Sequence, residues 1–255
     1  MSKEKNIVIK AKRLTKEFRT KDTKQIILDE LDIAIYEGDF TIIMGASGAG
    51  KSTLMYALSG MDRPTSGSIE FLSEDITQYS DDKLAVFRRK HCGFVFQQIY
   101  LLEKMSLMDN VITAGVLTTN KKSEVRKKAE KLFELVNLPE TTWKKTVAQV
   151  SGGEAQRTGI VRAIINQPLI VFADEPTGAL NSNNSDAVLD VFSEIHNQGQ
   201  SVIMVTHDKK TALRANRIIY LRDGKIHGEC DLGTYEGANE ERKEQLEKFL
   251  KEMGW

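Results

Sequence analysis

At 255 residues the chain is long enough to bury a sizeable core, as one large domain or two small ones. Lys+Arg and Asp+Glu stand at 36 each, so the formal net charge is zero and nothing electrostatic points to a nucleic-acid partner. The two cysteines, Cys92 and Cys230, lack Cys-x-x-Cys spacing, which excludes a disulfide framework or a cysteine zinc site and suits a reducing cytosol.

In chain order, the charged start Met1 to Asn6 leads into an alternating pattern rather than an apolar signal-peptide core. Ile7 to Phe18 and Ile26 to Tyr36 alternate apolar and polar residues, which predicts half-exposed antiparallel strands. Thr41 to Met44 is a short apolar run that reads as a buried strand, and Gly45-Ala46-Ser47-Gly48-Ala49-Gly50-Lys51-Ser52-Thr53 follows it at once. The spacing Gly-x-x-x-x-Gly-Lys-Ser describes a phosphate-binding loop. Its glycines let backbone N–H groups turn inward around the α- and β-phosphates, Lys51 reaches the β- and γ-phosphates, and the Ser52 hydroxyl ligates Mg²⁺. A helix from Lys51 to Ser59, closed by Gly60, aims its positive end at the anion. The loop predicts binding of a nucleoside triphosphate.

Beyond it, Gly67 to Leu72 reads as a strand, Asp81 to Lys90 as a helix, and Gly93 to Phe96 as an apolar strand ending at Gln97. Taken alone, Gln97 would be an ordinary surface glutamine; at a strand end it is placed to sense Mg²⁺ or an attacking water. Ser106 to about Leu138 is helical in pattern, with the apolar stripe Val125, Ala129, Leu132, Phe133 and Val136 opposite solvated lysines, and Pro139 ends it. Ser151 is a good N-cap for a helix running to about Asn166, and Gly152 and Gly153 allow close backbone approach to an anion. One sheet switch point does not easily serve two glycine-rich helix starts, so this second one is expected to face the nucleotide of another copy of the chain.

Leu169 to Ala173 and Ser201 to Thr206 are continuous apolar runs, the pattern of strands covered on both faces, with a helix from Ser185 to Gln198 between them. The first ends in Asp174-Glu175. Ligands of open α/β sheets lie beyond the strands' carboxyl ends, and adjacent residues face opposite ways. Asp174 is therefore expected to hold Mg²⁺ through water, and Glu175 to orient or deprotonate the attacking water. His207, after the second run, is expected to contact the γ-phosphate. Asp223-Gly224, flanked by Ile218 to Leu221 and Lys225 to Gly228, predicts a hairpin. The fold class is α/β: a P-loop NTPase core with a parallel sheet, an antiparallel β flank, and a helical subdomain inserted at approximately 98–157. The ATPase domain is expected over 1–235. A helical tail over 236–255 carries the stripe Leu246, Phe249, Leu250 and Met253.

Gly45 to Thr53, Gln97, Ser151 to Arg157, Asp174-Glu175, Gly178-Ala179-Leu180-Asn181 and His207 stand in the order and spacing of an ABC-transporter ATPase. They resemble its Walker A, Q-loop, signature, Walker B, D-loop and H-loop, and the similarity covers roughly residues 5 to 230. The resemblance implies a head-to-tail homodimer with two ATP molecules between the subunits, each held by one subunit's phosphate loop and the other's Ser151 and Gly153. It also implies that Phe18 stacks on adenine and that Gln97 joins Ser52 and Asp174 at Mg²⁺.

The wording of the motifs is similar to a bacterial subgroup holding macrolide exporters, lipoprotein-release systems and bacitracin-type peptide-antibiotic transporters. Members pair with an integral-membrane permease carrying a large extracytoplasmic domain, which places the ATPase peripherally on the cytoplasmic face of the cell membrane. Nothing is expected to touch the membrane except through that permease, which the family docks beside residues 98–106. The resemblance favours antimicrobial peptides as cargo. It leaves open a lipoprotein-release ATPase and a regulatory, mechanotransmitting ATPase of the cell-division type. Two positions depart from the family: Glu154 stands where Gln is usual, adding negative charge near ATP, and Asn181 stands where Asp is usual.

Overall fold

Alternation in the first third of the chain produces an antiparallel sheet, and the continuous apolar runs produce parallel strands. A computed structural model describes residues 6–19, 23–237 and 239–255 and divides them into two units. The elements in chain order are β1 (Ile7–Arg19), β2 (Lys24–Tyr36), β3 (Phe40–Met44), α1 (Lys51–Leu58), β4 (Ser66–Phe71), β5 (Glu74–Asp75) and α2 (Asp81–His91). Then come β6 (Cys92–Phe96), α3 (Leu107–Gly115), α4 (Lys122–Leu135), α5 (Glu140–Trp143), a 3₁₀ turn at Val147–Gln149, α6 (Gly152–Ile164), β7 (Ile170–Asp174) and α7 (Ser182–Asn197). The last are β8 (Ser201–Val205), α8 (Lys209–Ala212), β9 (Arg217–Arg222), β10 (Lys225–Asp231) and α9 (Glu240–Glu252).

The first unit comprises the described residues up to Ala85 together with Ser201–Trp255. Its antiparallel sheet has the order β2-β1-β4-β5, and the inward positions Ile9, Leu14, Leu28, Ile35, Ile69 and Phe71 are buried. Arg13 and Glu30 adopt left-handed backbone (φ 47° and 44°) beside register shifts in the β1–β2 ladder. Beside this sheet β3, every residue of which is buried, runs parallel to both β8 and β9. β9 turns back into β10 through Asp223 and Gly224, both at positive φ (49° and 74°), the geometry a two-residue hairpin demands.

The predicted tail stripe forms one face of α9, with Leu246, Phe249 and Leu250 buried. Met253 lies against Gly228 of β10, and the Trp255 ring stands edge-on to Tyr220 with centroids 6.1 Å apart. The buried Arg242 fastens the start of α9 by donating to the carbonyls of Leu213 and Leu232, both at 2.7 Å, and of Ala215.

The second unit spans Val86–Gln200 and contains the stretch read as a helical insertion. Here β6 and β7 pair in parallel, and Phe94 stacks on Phe172 across the pair with centroids 5.6 Å apart. The helix expected over residues 106–138 is two helices. Ser106 caps α3, accepting from the Asp109 N–H at 3.0 Å, and the chain turns through 116–121 before α4 begins. Gly115 is where the helices meet, since a Cβ there would collide with Val125. The apolar periodicity ran through the break because both helices bury one face. The stripe itself is real: Val125, Ala129, Phe133 and Val136 are buried and Leu132 is half-buried.

Candidate nucleotide site

The phosphate loop belongs to the first unit and begins where the buried run of β3 ends. Gly45 (φ 150°) lies so close to the Leu221 carbonyl that a Cβ would overlap it, and Gly50 (φ 99°) closes the loop as the N-cap of α1. No side chain caps α1 and no acid stands in its first turn. By contrast, Ser106, Ser151, Asn181 and Asn239 cap α3, α6, α7 and α9 through their side chains. A helix start of this kind is suited to an external anion.

Lys51, only 8% exposed, donates its ammonium to the carbonyls of Gly45 at 2.8 Å and Ala46 at 2.9 Å. Ala46, Ser47 and Gly48 are exposed, Ala49 and Gly50 are buried, and Ser52 and Thr53 are half-buried in the first turn of α1. The residues present therefore fit a triphosphate: a cation already fixed beneath a loop, and an uncapped helix start facing the same anion.

The parallel pairing of β3 with β8 sets Ile43 opposite Val205, so the phosphate loop and Thr206-His207 leave neighbouring strand ends. The Thr206 N–H donates to the Ile43 carbonyl at 3.3 Å. His207 is exposed in a turn held by Asp208, whose N–H donates to Thr206 Oγ1 at 3.1 Å and whose carboxylate accepts from the Thr211 N–H at 2.7 Å. Asp208 was not singled out from sequence, although an Asp just before a short helix is a recognisable N-cap. Phe18, 51% exposed near the end of β1, has Lys16 Nζ 5.2 Å from its ring.

The second unit gathers the other predicted groups. Phe96 pairs with Asp174 in the β6–β7 ladder, so Gln97 and Glu175 emerge from adjacent strand ends, about 5 Å apart at the backbone. Glu175 holds a left-handed conformation (φ 45°), uncommon for a residue with a Cβ, and its carbonyl accepts from the Gly178 N–H at 3.0 Å. A Cβ on Gly178 would lie 3.0 Å from Gln97 Nε2, so this turn packs against the Gln97 side chain. The backbones of Gln97, Asp174 and Glu175 thus lie side by side at the ends of β6 and β7.

Asn181 N-caps α7, accepting from the Asn184 N–H at 3.0 Å, a role the sequence comparison with Asp did not reveal. Ser151 and Glu154 form a reciprocal capping box. The Glu154 N–H donates to Ser151 Oγ at 3.2 Å, and the Ser151 N–H donates to the Glu154 carboxylate at 2.8 Å. That backbone bond holds the Glu154 carboxyl below its ordinary range, so the charge expected beside a nucleotide is engaged in starting its own helix. Ser151 Oγ accepts within the box, and its hydroxyl also helps hold the Glu154 carboxylate in its charged form. Gly152 packs on Leu180 and Gly153 on Asn184, at 3.2 and 2.8 Å from the positions their Cβ atoms would take. The turn opening α6 and the turn opening α7 are therefore in contact.

Among the described residues no three His, Cys, Asp or Glu side chains converge as a ready-made metal cage. Ser52 in the first unit offers a hard oxygen of the kind Mg²⁺ accepts when it brings its own waters and phosphate oxygens, and Asp174 in the second unit offers another. Among the described residues, no helix is long and apolar enough to cross a membrane.

A sequence profile described as "ABC transporter" matches residues 28–178. The macrolide export ATP-binding/permease protein MacB of Chlorobaculum tepidum is 40% identical over 219 residues, 86% of this chain and 33% of its own length. This chain accordingly spans about a third of the MacB relatives it matches. The uncharacterized ABC transporter ATP-binding protein MJ1508 of Methanocaldococcus jannaschii is also 40% identical, over 86% of this chain and 97% of its own. Among solved structures, a dimeric post-hydrolysis state of the ATP-binding cassette MJ0796 bound to ADP and Pi superposes with a TM-score of 0.82. It has 33% identity and covers 89% of this chain and 100% of the other.

Proposed function

Because this chain belongs to the ABC transporter family and is an ATP-hydrolysing cassette, we propose that it closes as a homodimer around two ATP molecules and drives a membrane permease. Each ATP is held by the phosphate loop of one subunit and by Ser151 and Gly153 of the other. Lys51 neutralises the β- and γ-phosphates, Phe18 stacks on adenine, and His207 contacts the γ-phosphate. Ser52, Asp174 and Gln97 would hold Mg²⁺, which when bound would supply positive charge to the phosphate oxygens. Glu175 orients and deprotonates the attacking water. The observation that carries the reading is the buried Lys51 beneath a helix start that no side chain caps.

The permease carries a large extracytoplasmic domain and holds the cassette on the cytoplasmic face of the cell membrane. The cargo is an antimicrobial peptide or antibiotic, moved or detached from the membrane; the name of the MacB relatives, macrolide export, supports an antibiotic among these. MJ1508 and YvrO of Bacillus subtilis, both named as ATP-binding proteins, are matched over 97% and 93% of their own lengths.

Glu175→Gln tests the chemistry. It should lower hydrolysis about a hundredfold or more while retaining ATP and accumulating the dimer on size exclusion. Hydrolysis at the normal rate would show that Glu175 is not the base. Purifying the membrane complex and asking which macrolides or antimicrobial peptides stimulate its ATPase tests the cargo. Stimulation by neither class would sink that part of the reading.

A further inference from the structure

The stretch that follows Gln97 has no regular secondary structure until α3, yet side chains from two helices grip its backbone. Gln156, 1% exposed on α6, donates its amide to the Phe96 carbonyl at 3.0 Å. Arg162, further along α6, donates to the Ile99 carbonyl at 2.7 Å and to the Tyr100 carbonyl. Between them Gly159 lets Ile99 lie against the helix, with Ile99 Cγ2 3.2 Å from where a Cβ would sit. Asn110, buried on α3, accepts from the Leu102 N–H at 2.7 Å and donates to the Leu102 carbonyl at 3.1 Å. Tyr100 is left-handed (φ 50°) and 65% exposed, an unfavourable conformation that turns its carbonyl to the guanidinium.

Arg162 has no carboxylate partner among the described residues; a partly buried cation serves two neutral carbonyls. Placing a cation there has a desolvation cost that a surface loop would not require. Only Gln97 and Gln98 lie between the gripped carbonyls of Phe96 and Ile99. The Gln97 backbone therefore cannot shift without pulling on α6, the helix whose first turn presents Ser151.

We infer that Gln156 and Arg162 are positioning residues that bind the Gln97 strap to α6, so that Gln97 and Ser151 are presented together as one lever. The inference rests on the proposed role of Gln97 in hydrolysis. A push on Tyr100 or the exposed Leu102 is delivered through Arg162 to the helix, and the phosphate loop keeps its own grip on ATP. The lever therefore governs turnover rather than nucleotide affinity.

The test compares Gln156→Met, Arg162→Met, the double variant, Arg162→Lys and Gln97→Ala in the full-length chain. Steady-state ATPase, thermal melting and hydrogen exchange at residues 97–102 are measured. Each Met variant should lower kcat about tenfold with KM for ATP within about twofold and melting within about 3 °C. Exchange across 97–102 should accelerate. The double variant should be little worse than either single one, because both loosen the same strap. Arg162→Lys should recover part of kcat, since it keeps the charge but not the fork. If both Met variants keep kcat within twofold, or lose it only in step with melting and KM, the lever is wrong. Gln97→Ala separates the two readings. Unchanged kcat in that variant overturns the role of Gln97 itself, whereas loss there with no loss in the Met variants overturns only the lever.

Discussion

Replacing Lys51 with Met isolates the electrostatic core of the site. Without nucleotide, the ammonium makes two short bonds to neutral loop carbonyls. Each such bond contributes about 1 kcal/mol net, against a desolvation cost of similar or greater size for a group 8% exposed. Losing those two bonds should therefore change nucleotide-free stability by about 2 kcal/mol, about 6 °C in a chain of this size. In the proposed complex with ATP the same ammonium makes charge-assisted bonds to phosphate oxygens, about 1.5–3 kcal/mol each. Losing two costs at least about 3 kcal/mol, a fall of about 150-fold in affinity.

Linkage turns this into a melting experiment. At an ATP-analogue concentration about 100 times the parent Kd, binding stabilises the parent by about 2.7 kcal/mol, a rise of about 5–10 °C. At the same concentration the variant gains only about 0.3 kcal/mol, a rise of about 1 °C. Calorimetric melting with a slowly hydrolysed analogue reads both. A variant that keeps more than half of the ligand-induced rise would refute the placing of phosphate on Lys51. One that loses more than about 10 °C without ligand would show that Lys51 is structural instead.

Arg242→Met should leave three buried carbonyls without their donor and cost about 3–5 kcal/mol, so melting should fall by about 10 °C; a fall under about 3 °C would mean α9 is not fastened there. Glu154 has a depressed folded-state value, so its contribution is fully present above its ordinary value of 4.5 and is lost as pH falls below that. Glu154→Gln keeps the acceptor without the titration. The melting advantage of the parent should hold constant well above pH 4.5 and shrink as pH falls below it, and a constant difference throughout would exclude the linkage. Asn181→Ala should cost about 1 kcal/mol by removing the α7 cap, whereas Asn181→Asp should melt level with the parent or slightly higher. Equal melting of all three would contradict the cap.

Much of the fold is legible along the chain because its physics is local. Residues 42–44, 170–173 and 202–205 are continuous apolar runs, the pattern of a strand covered on both faces. The phosphate loop is legible for the same reason, since its glycines, Lys51 and Ser52 act within one turn of one another. The break at 116–121 was not visible, because two helices that bury one face each share a period. The Ser151–Glu154 capping box was present as a spacing, but its competition for the Glu154 charge needed coordinates.

Sequence by itself determined which residues are proposed to handle a triphosphate, because that chemistry is written in contiguous side chains and the backbone they allow. Tertiary structure alone decided what surrounds them: Gln156 reaching Phe96 across 60 residues, Arg162 reaching Ile99 across 63, Arg242 closing on three distant carbonyls. Polar side chains on a helix read as solvated until something packs against them. Which carbonyl each one meets depends on how separate elements are folded together, and no local pattern carries that information.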